Sequence, residues 1–487
     1  KRTNTSLAIF EQIRELHPNK HVTIVEPRHC DILGFAAAGH AKVRLLTTGE
    51  SFMSTRTYSP PGSRMEGGDG KLGDDVDIGQ YEYEWQGTQF PIFKVSWTEE
   101  DVGLMIYYYV LSSKHDVDAQ AHSASADRFI TACGKWSKEL HEEIYVFDGG
   151  YWTKNRQLWA SVQTSSWDDV ILDPVMKETL IKDVHGFFNS RQTYQKYSVP
   201  WKRGIILHGV PGCGKTISIK ALINSLQAKN VASLYVKSLK ACNGQQYSIR
   251  AIFSHARVMA PCLLIFEDLD SLIVDEVRSY FLNEVDGLDS NDGILMIGST
   301  NHLERLDPGI AKRPSRFDRK YHYRIPGAKE RFLYCQYWRR KLQMCNNLEF
   351  SDEVCEIVSK LSEGFSFAYM KELFVQSLLA MVGGRTEFED DVSQGFLIGD
   401  GVAARMATNA AKTADAHETS ISTVADEEKH SCKKKKYAVP DVLVPEHLED
   451  NTLLRVMRGQ IVALLKDMDD TKVESEDLPK PKISGSV

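Results

Sequence analysis

The chain has 487 residues, of which 42% are apolar and 26% are charged, and its formal net charge is −7. This length accommodates two or three domains, and the composition is ordinary for a globular protein with a buried core. The acidic balance disfavours nucleic acid as the main partner, because proteins that bind nucleic acids usually present a basic face.

The sequence gives three indications of where the protein resides. It contains no run of about 18 apolar residues, so no membrane-spanning helix is predicted. The nine cysteines lack C-x-x-C spacing, which favours reduced thiols in an intracellular protein. We therefore expect a soluble protein of the cytoplasm, with the mitochondrion as the alternative. The sequence starts at Lys1 rather than at a methionine, so an anchor or targeting segment upstream of it stays an open alternative.

Residues 1–165 are predicted to form an α+β domain that is rich in strands. Short runs of β-branched and aromatic residues predict strands at 21–26, 41–46, 90–97, 104–112 and 143–147. Residues 59–75 are full of Pro, Gly and Asp, which predicts a mobile loop. Apolar residues at helical spacing predict a helix over 125–142, so we expect mostly antiparallel strands around this helix.

Residues 166–326 are predicted to form an α/β domain with a parallel sheet. Short apolar strands at 204–208, 233–236, 262–266 and 293–298 alternate with helical patterns, and this alternation is typical of βαβ units. After Pro326 the pattern is helical at 328–342, 352–361 and 367–381, and helical periodicity returns at 446–468. Residues 327–382 and 441–470 are therefore predicted to form a small helical subdomain.

Two segments are predicted to lack regular structure. Residues 383–440 are rich in Gly, Ala, Thr, Asp and Glu, which predicts a disordered insertion. Near its end this segment has four consecutive lysines, Lys433, Lys434, Lys435 and Lys436, which are either a solvated charge run or a signal for localisation or an acidic partner. Residues 471–487 are polar and are predicted to be a flexible tail.

The strongest motif is a glycine-rich loop that follows one of the predicted strands and precedes a predicted helix. Its residues are Gly209, Val210, Pro211, Gly212, Cys213, Gly214, Lys215 and Thr216, which fit the pattern G-x-x-x-x-G-K-[ST]. Glycines allow backbone N–H groups to wrap phosphates, the lysine adds a positive charge, and the threonine hydroxyl can ligate Mg²⁺. A phosphate-binding loop at a helix N-terminus is therefore predicted.

Acidic residues follow the predicted strand 262–266, at the end where open α/β sheets bind ligands. Glu267, Asp268 and Asp270 lie about 50 residues after the glycine-rich loop. One acid can hold Mg²⁺, through water, and the next can polarise an attacking water molecule. In this pair Glu267 comes before Asp268.

Two further polar segments complete the pattern. Asn301 ends another buried strand, where an amide can orient a lytic water. Arg313 and Arg316 follow a Leu-Asp-Pro turn, and arginines held near such a loop can stabilise phosphoryl charge in a neighbouring subunit. Surface salt bridges are the alternative role for these arginines.

The order of these four segments resembles the AAA ATPase family, densely over residues 167–342 and loosely over 363–468. The resemblance implies ATP and Mg²⁺ as cofactors and shared sites in a hexameric or heptameric ring. It implies that Lys215 and Thr216 bind the phosphates and that Thr216 and Glu267 bind Mg²⁺. It also implies that Asp268 is the catalytic base and Asn301 the sensor, and that Arg313 and Arg316 are the arginine fingers. The implied nucleotide-binding residues are Asp169, Val170, Gly209, Val210, Pro211, Gly212, Cys213, Gly214, Lys215, Thr216, Ile217, Asn301 and, in the lid, Ala368.

Two departures from the family pattern are similar to the Bcs-type branch, relatives of the mitochondrial assembly factor for the cytochrome bc complex. Family members that thread unfolded chains carry an aromatic pore-loop residue where this chain has Ala241, Cys242 and Asn243. The second departure is the order of the two acids, because most family members have Asp before Glu where this chain has Glu267 before Asp268. Proteins of this branch have a β-rich domain just before the ATPase module, and residues 90–170 follow that layout. They also have an N-terminal membrane helix, which this sequence lacks.

We therefore expect a ring ATPase that remodels or chaperones folded or partly folded protein clients, with residues 1–165 holding the client. Alternatives are a nucleic-acid-remodelling ATPase, an assembly factor of a membrane complex with its anchor missing from this chain, and a nucleotide-gated scaffold. The identity of the client stays open.

Overall fold

The computed structural model describes residues 5–47, 52–60, 69–99, 103–286, 290–343, 348–383, 440 and 442–476. The chain divides into two compact units, Lys1–Glu142 and Glu143–Val487. Apart from Gly383 and Pro440, the predicted insertion with its four lysines lies outside the described residues, as do residues 477–487 of the predicted tail.

In the described residues, the first unit contains a six-stranded antiparallel sheet and three α-helices, which confirms the predicted α+β architecture. Its strands follow the order β1-β6-β5-β4-β2, and β3 also pairs with β4. The elements are α1 (Thr5–Leu16), β1 (Lys20–Val25), α2 (Ile32–Ala37), β2 (Lys42–Leu46), β3 (Met53–Ser59), β4 (Lys71–Trp85), β5 (Thr88–Glu99), β6 (Gly103–Ser113) and α3 (Ala124–Lys138).

Alternating side chains of the sheet supply two separate hydrophobic clusters. One cluster joins the sheet to α2 and α3, where the Phe129 ring lies 5.2 Å from Phe90 and 5.0 Å from Tyr83. The other joins the sheet to α1 through Ile13 and Phe93. The predicted helix thus lies against the sheet as expected, and α1 is an element that the sequence analysis did not identify.

The predicted mobile loop over residues 59–75 is wrong in part, because both of its ends belong to strands. β3 ends at Ser59 and β4 begins at Lys71, and the two pair in antiparallel register. The ribbon that β3 and β4 form consists mostly of polar residues, and these pair across the strands, as in the 3.0 Å ion pair between Arg56 and Asp74. Such solvated pairs give no apolar alternation from which strands could be predicted.

The second unit contains a seven-stranded sheet with the order β13-β9-β12-β11-β10-β7-β8. Every neighbouring pair is parallel except β7 and β8, which confirms the predicted parallel sheet. The elements are β7 (Ile144–Asp148), β8 (Tyr151–Asn155), α4 (Arg156–Gln163), α5 (Pro174–Asn189), α6 (Arg191–Lys196), β9 (Arg203–Gly209), α7 (Lys215–Gln227), β10 (Ala232–Val236), α8 (Gln245–Met259), β11 (Cys262–Phe266), α9 (Leu269–Leu272), α10 (Asp275–Asp286), β12 (Ile294–Thr300), α11 (Pro308–Ala311) and β13 (Arg319–Tyr323).

The boundary between the units lies between Glu142 and Glu143, earlier than the predicted boundary at residue 165. The reason is the pairing of β7, which joins the parallel sheet through β10 and brings β8 with it. The loop after β10 is attached to this hairpin, because the Lys237 ammonium lies 2.8 Å from Asp148 and its backbone N–H donates to the Phe147 carbonyl. The hairpin belongs to the α/β unit.

Four helices form the predicted helical lid after the sheet: α12 (Ala328–Lys341), α13 (Asp352–Leu361), α14 (Phe367–Val382) and α15 (Thr452–Glu476). They share one hydrophobic cluster that includes Phe374 and Met457. Helix α15 continues to Glu476, so the predicted tail from residue 471 is helical in its first part. No helix within the described ranges is long and apolar enough to cross a membrane.

Candidate nucleotide-binding site

The glycine-rich loop joins the end of β9 to the start of α7. Gly212 and Gly214 have φ angles of 75° and 98°, which favour glycine over other residues. A Cβ atom on Gly212 would lie 2.4 Å from the Cβ of Ala368, and the Ala368 N–H donates to the Gly212 carbonyl at 3.1 Å. The loop is therefore shaped by its glycines and contacts the N-terminal end of the lid helix α14.

Lys215 lies inside this loop and is only 8% exposed. Its ammonium group donates to the carbonyls of Gly209 at 2.7 Å and Val210 at 3.1 Å. Burial lowers the pKa of Lys215, and the nearby Asp268 and Asp270 carboxylates oppose this shift. The geometry holds a cation at the N-terminus of α7, where a helix favours anions.

The other loop residues differ in exposure. Val210, Pro211 and Thr216 are exposed, whereas Cys213 is buried and burial raises the pKa of its thiol. Ile217 is half-buried. The exposed Thr216 hydroxyl is therefore the side-chain oxygen of this loop that a cation could reach.

Replacement of Gly212 by Ala is expected to weaken ATP binding at least tenfold, because the added Cβ strains a positive φ and collides with Ala368. Titration calorimetry with ATP measures this effect. Gly244→Ala is the matched control, since Gly244 has a φ of 86° with nothing within 4 Å of an added Cβ. Equal ATP affinity in both variants would contradict the importance of the contact.

Glu267 and Asp268 follow β11 directly and differ in their surroundings. The Glu267 Oε2 atom accepts a hydrogen bond of 2.7 Å from the Tyr235 hydroxyl. Its Oε1 atom is buried and has no hydrogen-bond partner among the described residues. Asp268 is exposed, and it adopts a left-handed conformation with φ of 51°, which aspartate tolerates better than most residues.

Strand pairing brings Asn301 to the same edge of the sheet. β11 and β12 are parallel neighbours, with Phe266 opposite Gly298, so Asn301 emerges from the sheet near Glu267 and Asp268. The third acid is not available in the same way, because Asp270 accepts a 2.6 Å hydrogen bond from the Thr300 hydroxyl. The structure thus distinguishes the two adjacent acids from Asp270, which the sequence alone could not.

Residues 167–172, called the entry segment, contain Asp169 and Val170 and begin with a 3₁₀ turn that precedes α5. The Asp169 carboxylate caps this turn by accepting from the Ser166 N–H at 3.2 Å. Val170 is 2% exposed, and its carbonyl accepts a hydrogen bond of 3.0 Å from the Lys177 ammonium. These bonds fix the backbone around Asp169 and Val170, two of the nucleotide-binding residues that the family resemblance implies.

A cavity of about 560 Å³ opens between this entry segment and α12. It is the size of a small-molecule pocket. Val170, Ile171 and Pro174 line one side, and Leu333 and Arg340 line the other. None of the glycine-rich loop residues lines it, so the cavity adjoins the entry segment and not the phosphate-binding loop.

The two predicted arginine fingers have different environments. Arg313 has a 59% exposed side chain and lies 3.6 Å from the Asp286 carboxylate. Arg316 has an 8% exposed side chain, and it donates to Asp286 at 2.7 Å and to the Gly309 carbonyl at 2.7 Å. Arg316 is therefore engaged in contacts within the chain, whereas most of the Arg313 side chain is open to solvent.

Replacement of Arg316 by Ala is expected to destabilise the folded chain by about 3 kcal/mol, because it leaves the Asp286 carboxylate without its closest partner. Denaturant unfolding measures this change. Arg313→Ala serves as the comparison and is expected to cost less than about 1 kcal/mol, since exposed ion pairs contribute little. A fully stable Arg316→Ala variant would contradict the anchoring role.

Three residues next to the site were not identified by the sequence analysis: Tyr235, Lys177 and Asp286. The side chain of each forms a hydrogen bond, either with a side chain distant in sequence or with a backbone carbonyl. Tyr235 is the last residue but one of β10 and Asp286 is the last residue of α10, but no sequence motif marks either of them. Only their partners in space give them a role.

Comparison with known proteins agrees with this geometry. Residues 205–325 match the family model of the ATPase family associated with various cellular activities (AAA). A putative cell division cycle ATPase of Plasmodium falciparum (isolate 3D7) is 27% identical over 230 residues. That match covers 45% of this chain and 18% of the relative, so the chain spans about a fifth of the relative's length. Residues 205–325 are therefore similar to domains of the AAA family, a family of ATPases.

Proposed function

We propose that the protein hydrolyses ATP at the carboxyl ends of β9, β11 and β12. The observation that carries this proposal is the convergence of the buried Lys215 with the adjacent acids Glu267 and Asp268 at one edge of the sheet. Loop N–H groups and the Lys215 ammonium bind the β- and γ-phosphates. Val170 of the entry segment is proposed to lie beside the adenine.

The residues present fit a magnesium ion. The Thr216 hydroxyl is exposed, and the Glu267 Oε1 atom is a buried carboxylate oxygen without a partner among the described residues. Oxygen ligands of this kind are those that Mg²⁺ prefers, with some of its sites kept by water. When bound, Mg²⁺ neutralises charge on the β- and γ-phosphate oxygens.

Asp268 is proposed as the general base. Its carboxylate is exposed at the end of β11, so a water molecule can approach it, and it accepts the proton that this water loses during attack. Asn301, which directly follows the neighbouring strand β12, donates a hydrogen bond that orients the water towards the γ-phosphate. The chain thus supplies a base and an orienting amide from two adjacent strands.

Arg313 is proposed as the arginine finger that acts on the neighbouring subunit of a ring, hexameric or heptameric. Its exposure leaves the guanidinium free to reach a phosphate that another copy binds. Arg316, the other finger that the resemblance implies, is proposed to anchor this segment through Asp286. AAA domains typically assemble into rings, in which head-to-tail contacts repeat until the ring closes.

The broader activity is proposed to be the remodelling of folded or partly folded protein clients by a Bcs-type ATPase. The β-rich first unit precedes the ATPase unit in the chain, as in that branch. The loop after β10 is bound to the β7–β8 hairpin through Lys237 and Asp148, and it contains no aromatic residue for threading. A wide client chamber fits this loop better than a narrow threading pore.

Purified protein tests this proposal. We expect ATP turnover that a stably folded client or its partly folded form stimulates, and electron micrographs that show rings in the presence of ATP. ATP turnover without any client response would contradict the remodelling function but not the ATPase. Stimulation by DNA or RNA that disappears as salt rises would instead favour the nucleic-acid-remodelling alternative.

A further inference from the structure

The Tyr235 hydroxyl and the Glu267 carboxylate meet because of strand register. β10 and β11 are parallel neighbours, and Tyr235 lies opposite Ile265. Glu267 is two residues beyond Ile265, so both side chains project from the same face of the sheet. The resulting hydrogen bond is 2.7 Å long, an ordinary distance for a hydroxyl that donates to a carboxylate.

The Tyr235 ring is partly buried. It packs against the hydrophobic cluster beneath α7. Burial raises the pKa of Tyr235, and the bond to Glu267 and the charges of Glu267 and Asp268 raise it further. In this geometry the Tyr235 hydroxyl is the donor and the Glu267 Oε2 atom is the acceptor.

This bond leaves the two oxygens of Glu267 with different roles. Oε2 is satisfied by Tyr235, whereas Oε1 is buried and has no partner among the described residues. A buried polar atom without a partner is costly and usually meets a water molecule or an ion in the working protein. Oε1 is thus the oxygen that remains for a cation.

The side-chain length of Glu267 explains why a support is needed. Glutamate has one more rotatable bond than aspartate, and fixing it costs additional conformational entropy. A hydrogen bond to Oε2 restricts that rotation and determines the direction of Oε1. The unusual order of Glu267 before Asp268 is in this way matched by a tyrosine on the adjacent strand.

We propose that Tyr235 is a positioning residue that holds Glu267 with Oε1 directed at Mg²⁺. This inference rests on the proposed ATPase function, because it assigns Glu267 to the magnesium-bound nucleotide. The proposed base, Asp268, does not depend on the Tyr235 hydrogen bond, because its side chain is exposed and its backbone N–H donates to the Ser299 hydroxyl. Tyr235 therefore affects the dependence of nucleotide binding on magnesium, not the base.

The test is Tyr235→Phe, which removes the hydroxyl and keeps the ring. Calorimetry of ATP binding is performed with Mg²⁺ and, separately, with EDTA. We expect the affinity in EDTA to stay within about twofold, whereas the gain in affinity that Mg²⁺ provides falls about tenfold. Because both measurements are binding equilibria, they do not depend on turnover.

Tyr321→Phe is the matched control. Its hydroxyl also donates to a carboxylate, that of Asp183 at 2.6 Å, and it belongs to the same hydrophobic cluster. Both variants are expected to lower the unfolding temperature of the nucleotide-free protein, but only Tyr235→Phe reduces the magnesium-dependent gain. An equal reduction in both variants would assign the effect to packing and overturn the proposal.

Two remaining outcomes separate this inference from the proposed function. A full magnesium-dependent gain in Tyr235→Phe, beside normal ATP binding by the unmodified protein, would overturn the positioning role alone. Failure of the unmodified protein to bind ATP better than Lys215→Ala would overturn the proposed function itself.

Discussion

Replacement of Asp268 by Asn is expected to reduce ATP turnover about a thousandfold, the range for loss of a general base. An amide cannot accept the proton of the attacking water, but it has nearly the same shape. ATP binding should therefore remain, since Lys215 and the glycine-rich loop are unchanged. Steady-state phosphate release and calorimetric ATP binding measure the two effects.

Asp270→Asn is the control for this prediction. It makes the same chemical change two residues away, at a carboxylate that accepts a hydrogen bond from Thr300. An amide oxygen can still accept that bond, so turnover should fall far less than in Asp268→Asn. If Asp268→Asn turned over ATP as fast as the unmodified protein, the assignment of the base would be wrong.

Replacement of Arg313 by Ala is expected to reduce turnover by about a thousandfold or more, the range for an arginine finger. The physical reason is the loss of a positive charge beside the γ-phosphate of the neighbouring subunit. Stability should hardly change, because the Arg313 side chain is 59% exposed and its ion pair is solvated. Turnover and denaturant unfolding are measured on the same sample.

A mixing experiment tests whether the arginine acts between subunits. The Asp268→Asn subunit retains Arg313, and the Arg313→Ala subunit retains Asp268. If the two inactive proteins mix at random in one ring, about a quarter of the sites contain both groups and turnover recovers. No recovery in rings verified to be mixed, or full activity of a strictly monomeric sample, would contradict the shared site.

The contrast between the two arginines shows where a motif stops being informative. Arg313 and Arg316 are three residues apart, and the sequence treats them alike. Asp286 separates them in the structure, because it accepts a close bond from Arg316 and lies further from Arg313. The burial of Arg316 predicts a loss of stability upon mutation, whereas the exposure of Arg313 predicts a loss of activity.

The features that the sequence determined are those whose physical cause is local. Adjacent residues suffice to predict the glycine-rich loop, the apolar strands with their polar ends, and the helices of the lid. The order of these elements along the chain carries the resemblance to the AAA family. The reversed pair Glu267–Asp268 was also visible there, since adjacency in the chain is itself the observation.

Tertiary structure alone decided the features that join distant segments. The β3–β4 ribbon is stabilised by cross-strand pairs, and the unit boundary is determined by the pairing of β7 with β10. The hydrogen bond from Tyr235 to Glu267 joins strands that are neighbours only in the folded sheet. Burial and hydrogen bonding of this kind depend on which residues meet in space, a property that spacing along the chain does not encode.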